Sequence, residues 1–66
     1  MRKRIKILMI ERDLTQKELA EMLDVTPQYM GNIIRGTSNG SYNFWENFKK
    51  VLGIPDTEIE KYKEVA

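Results

Sequence analysis

Apolar residues recur three and four positions apart along most of this chain, and no stretch alternates apolar with polar in the manner of a strand, so the pattern predicts an all-α domain of five helices. The first segment, roughly Arg2 to Arg12, places Ile5, Leu8 and Met9 on one stripe that buries, with Lys3, Lys6 and Glu11 left to face water. A second helix is announced by Thr15-Gln16-Lys17-Glu18, a capping box in which the Thr15 hydroxyl accepts a backbone N–H of the first turn and the Glu18 carboxylate reaches back to the cap. It runs to about Leu23, with Leu19, Ala20 and Leu23 inward, and the small Ala20 allows a neighbouring helix to approach closely. Thr26-Pro27 opens a third helix almost at once, a cap residue followed by proline at the position where its missing N–H costs nothing. Gly36 ends that helix as a left-handed cap. Ser41 or Asn43 caps a fourth helix, which reaches Leu52 and is closed by Gly53; its predicted inward stripe is Tyr42, Trp45, Phe48 and Leu52. Pro55-Asp56-Thr57 opens the last helix, in which Ile59 and Tyr62 pack inward.

Two helices joined by little more than Asp24-Val25 cannot lie antiparallel, and with Val25 pointing in, the second and third form a helix-turn-helix at about residues 15–35. At 66 residues the chain reads as one domain, 1–66, of a size that buries about 60% of its unfolded surface. With no cysteine for disulfides and no histidine for a metal, helix packing or self-association must hold it together, and a reducing, cytoplasmic location is expected. The longest apolar run is short and interrupted by Lys6, so it reads as neither a signal peptide nor a membrane span.

Charge adds little in sum and more in placement. Eleven basic and ten acidic residues leave a net charge of +1. The first twelve residues carry Arg2, Lys3, Arg4, Lys6 and Arg12 against Glu11, while Asp56, Glu58, Glu60 and Glu64 crowd the tail. From Val25 to Trp45, Arg35 is the one charged side chain, so no acid there repels a phosphate. On the third helix Met30, Ile33 and Ile34 fall on one side and Gln28, Gly31, Asn32 and Arg35 on the other. Asn and Gln amides match adenine in the major groove and arginine matches guanine, and Gln28, Asn32 and Arg35 stand in a row. Gly31 costs about 1 kcal/mol in mid-helix relative to alanine, which makes sense if a partner approaches the backbone there. A polar face is also the ordinary outer surface of a soluble helix, and composition leaves both readings open.

Helix starts present free N–H groups to anions, so Thr15 and Gln16 at one start and Ser41 and Asn43 at another are candidate phosphate contacts, joined by Thr37, Ser38 and Asn39 in the loop. Such a surface, poor in cations, predicts a shallow salt dependence. Arg2-Lys3-Arg4 reads as a solvated end or an arm toward DNA. Nothing resembles a nucleophile with its base or a metal site, so no enzyme, cofactor or metal is expected, and the domain is too short to house a separate sensor for a small-molecule ligand.

Leu14-Thr15-Gln16-Lys17-Glu18-Leu19-Ala20 followed by Val25-Thr26, the apolar Leu19, Leu23, Val25, Met30 and Ile33, Arg35-Gly36 and Leu52-Gly53-Ile54 together resemble the phage-repressor and Cro-like, XRE-type helix-turn-helix regulators over roughly Ile5 to Ile54. The resemblance implies a compact five-helix domain that binds double-stranded operator DNA, usually as a homodimer, with Gln16 on phosphate and Pro27, Gln28, Gly31 and Asn32 at base-reading positions. The chain departs from that pattern with Asp24 where the turn usually has glycine, Thr37 in place of a lysine and Gly40 near a usual proline. Met9 and Ile34 stand where members often carry an arginine–glutamate pair, which implies an apolar contact instead. A competing reading is a protein-interaction module, antitoxin-like or phage accessory, anchored by Phe44, Tyr42 and Tyr29; Phe44 falls on a normally polar side of its helix, as a partner contact or as core.

Overall fold

The computed structural model describes all 66 residues and contains five helices: α1 (Lys3–Glu11), α2 (Gln16–Met22), α3 (Pro27–Arg35), α4 (Tyr42–Leu52) and α5 (Asp56–Lys63). Their starts follow local chemistry. Thr15 accepts from the Glu18 N–H at 3.1 Å while its own N–H donates to Glu18 Oε1 at 2.9 Å, completing the capping box. Thr26 accepts from the Tyr29 N–H with Pro27 at the first helical position, and Ser41, not Asn43, caps α4 through the Phe44 N–H. Asp24 turns the chain between α2 and α3 in the left-handed region at φ 55°, and Asp13 does the same before α2. Gly36 ends α3 at φ 85°.

α2 and α3 pack most closely on one another, and α1 lies against α3 and α5. Ile5 and Leu8 from α1 meet Leu19 and Ala20 of α2, Met30, Ile33 and Ile34 of α3, and the apolar face of α4 in one core, with Met9 and Val25 packed on its edge. α4 contributes an aromatic cluster: Phe44 and Trp45 stand edge to face at 4.9 Å, Phe48 lies 5.3 Å from Trp45, and Tyr62 of α5 lies 5.7 Å from Phe48. Such pairs contribute about 0.5–1.5 kcal/mol each beyond the area they bury.

Two expectations are corrected here. Tyr42 is 78% exposed, and the inward face of α4 is Phe44, Trp45, Phe48 and Leu52. At roughly 100° per residue those four fall within an arc of about 100°, and Tyr42 falls about 60° outside it. Phe44 is therefore core, with the half-buried Tyr29 packed edge-on at 5.6 Å, so the Phe44 ring is not free to anchor a partner. The second correction concerns Arg2, which is neither a solvated end nor an arm. Its side chain is buried; Nη1 donates to Ile33 O and Ser38 O at 2.7 Å each, Nε donates to Lys63 O at 2.9 Å, and the guanidinium lies 5.3 Å from the Trp45 ring. The C-terminal end of α3, the following loop and the end of α5 all turn carbonyls toward one point, and a forked cation is the side chain that satisfies them together.

Candidate nucleic-acid interface

The side chains that reading of the sequence singled out lie along the start of α2, the outer face of α3, the α3–α4 loop and the start of α4. Their relative position is set first by the tight α2–α3 turn and then by a polar tie across it. Gln16 Nε2 donates to Pro27 O at 2.9 Å, so the first residue of α2 is bonded to the first residue of α3. Pro27 and Gln28 are exposed beside it.

Further along α3 the structure brings three candidates together. Arg35 Nη2 donates to Asn32 Oδ1 at 2.6 Å, and the Thr37 hydroxyl lies 3.3 Å from Asn32 O and 3.4 Å from its Oδ1. The space beside Gly31, where a side chain would stand, is filled by Gln16 and Arg35: a Cβ there would lie 2.8 Å from Gln16 Nε2 and 3.1 Å from Arg35 Nη1. Gly31 is thus buried, and the close approach that its lack of a side chain permits is made by this chain's own amide and guanidinium. Gln28, on the same face, makes no bond within the chain and is exposed.

The loop and α4 residues are held differently. The Ser38 hydroxyl accepts from the Gly40 N–H while its carbonyl takes Arg2, and the Asn39 carbonyl accepts from Trp45 Nε1 at 2.9 Å. The loop backbone is therefore fixed from inside, leaving the Asn39 side chain and the Thr37 hydroxyl outward. Thr15 and Ser41 use their hydroxyl oxygens as caps, yet each keeps an O–H to donate, as an incoming phosphate requires. Ser41 and Asn43 lie some way from the Gly31 group, on a groove of about 450 Å³ shared with Leu23, Asp24, Val25, Tyr29, Phe44 and Asn47.

Charge on this face is sparse: Arg35 is the one charged side chain from Val25 to Trp45, and Asp24 lies beside Ser41 and Asn43 in the groove. Arg35 takes part in none of the ion pairs, which join Lys49, Lys61 and Lys63 to acids of α4 and α5. Glu18, two residues beyond Gln16, is held by the Thr15 backbone N–H, which keeps its carboxyl below the ordinary range and its charge on the helix start. On α4 and α5, Lys49 bonds Asp56 and Glu46, so its ammonium is pushed above the usual lysine value and the Asp56 carboxyl is held down.

A family model for the helix-turn-helix of the XRE type, to which phage repressors and Cro-like proteins belong, matches residues 5–59. The chain belongs to this family. It is by that membership a DNA-binding helix-turn-helix domain, with α2 and α3 as its two defining helices. No curated protein and no solved structure matches it. No helix of this helix-turn-helix domain is long and apolar enough to cross a membrane. What inspection of the sequence missed was the anchoring role of Arg2 and the intramolecular use of Gln16, Asn32 and Arg35. The i, i+3 spacing of Asn32 and Arg35 was a visible signal for their pairing; Arg2 gave none, because its acceptors lie 31, 36 and 61 residues away.

Proposed function

We propose that this helix-turn-helix domain is a sequence-specific transcriptional regulator, acting as a repressor in the cytoplasm, that reads operator DNA with α3 in the major groove. The observation that carries the reading is the acid-free outer face of α3, where the exposed Gln28 and Arg35 and the half-buried Asn32 offer amides and a guanidinium beside the tied start of α2. Pro27 completes the base-reading stretch at the helix start, and Gly31 serves it by leaving room for the Gln16 and Arg35 side chains. Thr15, Gln16, Thr37, Ser38, Asn39, Ser41 and Asn43 position the phosphates through hydroxyls, amides and helix-start N–H groups. Two copies bind symmetric half-sites about 34 Å apart, as is usual for paired helix-turn-helix units. With Arg35 as the one cation between Val25 and Trp45, the salt dependence is shallow, each neutralised phosphate contributing a slope of about −0.9. A protein-interaction role is disfavoured because two of its three aromatic anchors, Phe44 and Tyr29, pack against one another within the fold.

The test is selection from random duplex DNA at low salt, followed by titration of the enriched site with the wild-type chain and with Gln28→Ala and Asn32→Ala. A two-fold symmetric site weakened by both substitutions is expected; enrichment of no sequence would sink the reading.

A further inference from the structure

Asn32 and Arg35 do not meet DNA as two independent side chains. An arginine N–H bonds only to an acceptor, so the Arg35 contact fixes which end of the Asn32 amide is turned inward: Oδ1 is held at 2.6 Å by Arg35 Nη2, and the Thr37 hydroxyl lies at 3.4 Å from the same oxygen. What remains free on Asn32 is the Nδ2 amino group, which bonds nothing in the chain. Over Gly31 lie Arg35 Nη1 and Gln16 Nε2, which spends one hydrogen on Pro27 O and keeps the other. Gly31 is what lets these groups lie together against the helix. The middle of α3 thus carries donors from three side chains, with the acceptor of Asn32 already occupied and no acid from Val25 to Trp45 to neutralise Arg35.

We infer that this patch reads guanine. The inference rests on the proposed role of α3 as the base-reading helix and names its specificity. In the major groove guanine offers two acceptors, N7 and O6, whereas adenine offers one acceptor and one donor, so an amide whose oxygen is turned toward Arg35 and Thr37 is less suited to the paired contact to adenine than a free asparagine. The Arg35–Asn32 unit matches the acceptor edge of a G·C pair, and the Thr37 hydroxyl helps keep the amide from turning over. Gln28, unbonded within the chain, keeps both amide functions and reads its neighbouring base independently.

The experiment is the same random-duplex selection carried out with wild type, Arg35→Ala and Gly31→Ala, followed by titration of the wild-type site in which the guanine of interest is replaced by 7-deazaguanine, which lacks N7. The wild-type site should hold one G·C pair per half-site whose preference disappears in Arg35→Ala, with affinity falling roughly 5- to 150-fold, the range of a good bidentate base contact. Replacement by 7-deazaguanine should weaken wild-type binding and leave Arg35→Ala unaffected. Gly31→Ala displaces Gln16 and Arg35 side-chain ends, not backbone, so it should fold normally and still lose the guanine preference. The 7-deaza measurement uses the wild-type chain alone and is independent of how any variant folds. Adenine at the Arg35-dependent position would overturn the inference and leave the operator reading intact. So would an Arg35→Ala loss that is equal for all sequences and lowers the salt slope by about 1, the mark of a phosphate contact. Enrichment of no sequence by the wild-type chain overturns the operator reading, and the guanine assignment falls with it.

Discussion

Replacing Arg2 with methionine keeps an unbranched stem against Trp45 and removes the guanidinium, and the structure allows the cost to be estimated. Three charge-assisted hydrogen bonds are lost, to Ile33 O, Ser38 O and Lys63 O. Bonds to charged groups contribute about 1.5–3 kcal/mol each, which bounds the loss from above. Two effects reduce it. Ile33 O keeps the Gly36 N–H at 3.2 Å, and the Ser38 and Lys63 carbonyls are partly buried, so water can replace the lost donor. The guanidinium also gave up hydration to reach its site; burial pushes its pKa below the ordinary arginine value, although it stays protonated. The net destabilisation should therefore be about 2–4 kcal/mol, the loss of three charge-assisted bonds less what water, the Gly36 N–H and the relieved desolvation restore.

A domain of 66 residues has a total stability of about 3–10 kcal/mol, so this one residue, outside every helix, holds a large share. The assay is thermal and urea unfolding followed by circular dichroism. Tm should fall by about 10–30 °C in Arg2→Met, since each kcal/mol shifts a domain of this size by about 4–8 °C. Arg2→Lys should recover part of the loss, because an ammonium is a point donor and does not span three carbonyls as the fork does. The control is Arg4→Ala. Arg4 is exposed and touches the fold through the Tyr62 ring at 5.7 Å, a contact contributing about 0.5–1 kcal/mol. If Arg2→Met costs no more than Arg4→Ala, the convergence of carbonyls on Arg2 does not stabilise the fold and the reasoning fails.

The remaining predictions are smaller in scope. Phe44→Ala should cost about 3–5 kcal/mol by opening the aromatic core, while Tyr42→Ala should stay within about 0.5 kcal/mol, and urea titration of the pair decides which ring is structural. Gly31→Ala should raise stability by up to about 1 kcal/mol, because α3 gains helix propensity and the atoms in its way are side-chain ends; a marked drop in urea midpoint would show that the Gln16 and Arg35 placement is needed for folding itself. For Glu18 the folded carboxyl lies below its ordinary value of 4.5, so its contribution is present above that value and is lost as pH falls through the lowered one. Glu18→Gln should flatten the acid limb of the stability curve, and an unchanged limb would count against the capping box as its source.

Much of this fold was legible because helix punctuation is local. Thr15 and Glu18, Thr26 and Pro27, and Gly36 and Gly53 each act within a few residues of themselves, so the spacing that predicts a cap also builds it. The face of α4 was less legible. Tyr42, Trp45 and Phe48 sit three apart, and a three-residue period drifts about 60° per step from the true helical repeat, so the run looks like a stripe while leaving the core at one end. Which end leaves depends on the helices that cover it: Tyr29 from α3 claims Phe44, and Tyr62 from α5 claims Phe48. Arg2 was the least legible, since its role exists only once the ends of α3 and α5 have been brought beside the α3–α4 loop. At the DNA face, residue types and their common side of α3 could be read from period, whereas the bond that Gln16 makes to Pro27 required the tight turn to be in place.

Those intramolecular bonds change how the face is expected to work. A free Asn, Gln or Arg side chain must be ordered when it meets a base, at a cost of about 0.5–1.5 kcal/mol for each rotamer-rich chain immobilised. Gln16 is bonded to Pro27, Asn32 to Arg35 and Thr37, and the loop beneath Thr37 is held by Arg2 and Trp45, so part of that ordering is complete before DNA arrives. Affinity is then expected to depend on geometry more than on charge, consistent with a face that carries one cation over twenty-one residues, Val25 to Trp45. It also places a stability determinant and a specificity determinant on one mechanical path. Arg2 bonds both the end of α3 and the loop that supplies Thr37, so the partly rescued Arg2→Lys chain, still folded at low temperature, should bind its site with a weaker sequence preference as well as a lower Tm. A variant that loses Tm while keeping full discrimination among bases would show that the loop finds its place without the Arg2 anchor.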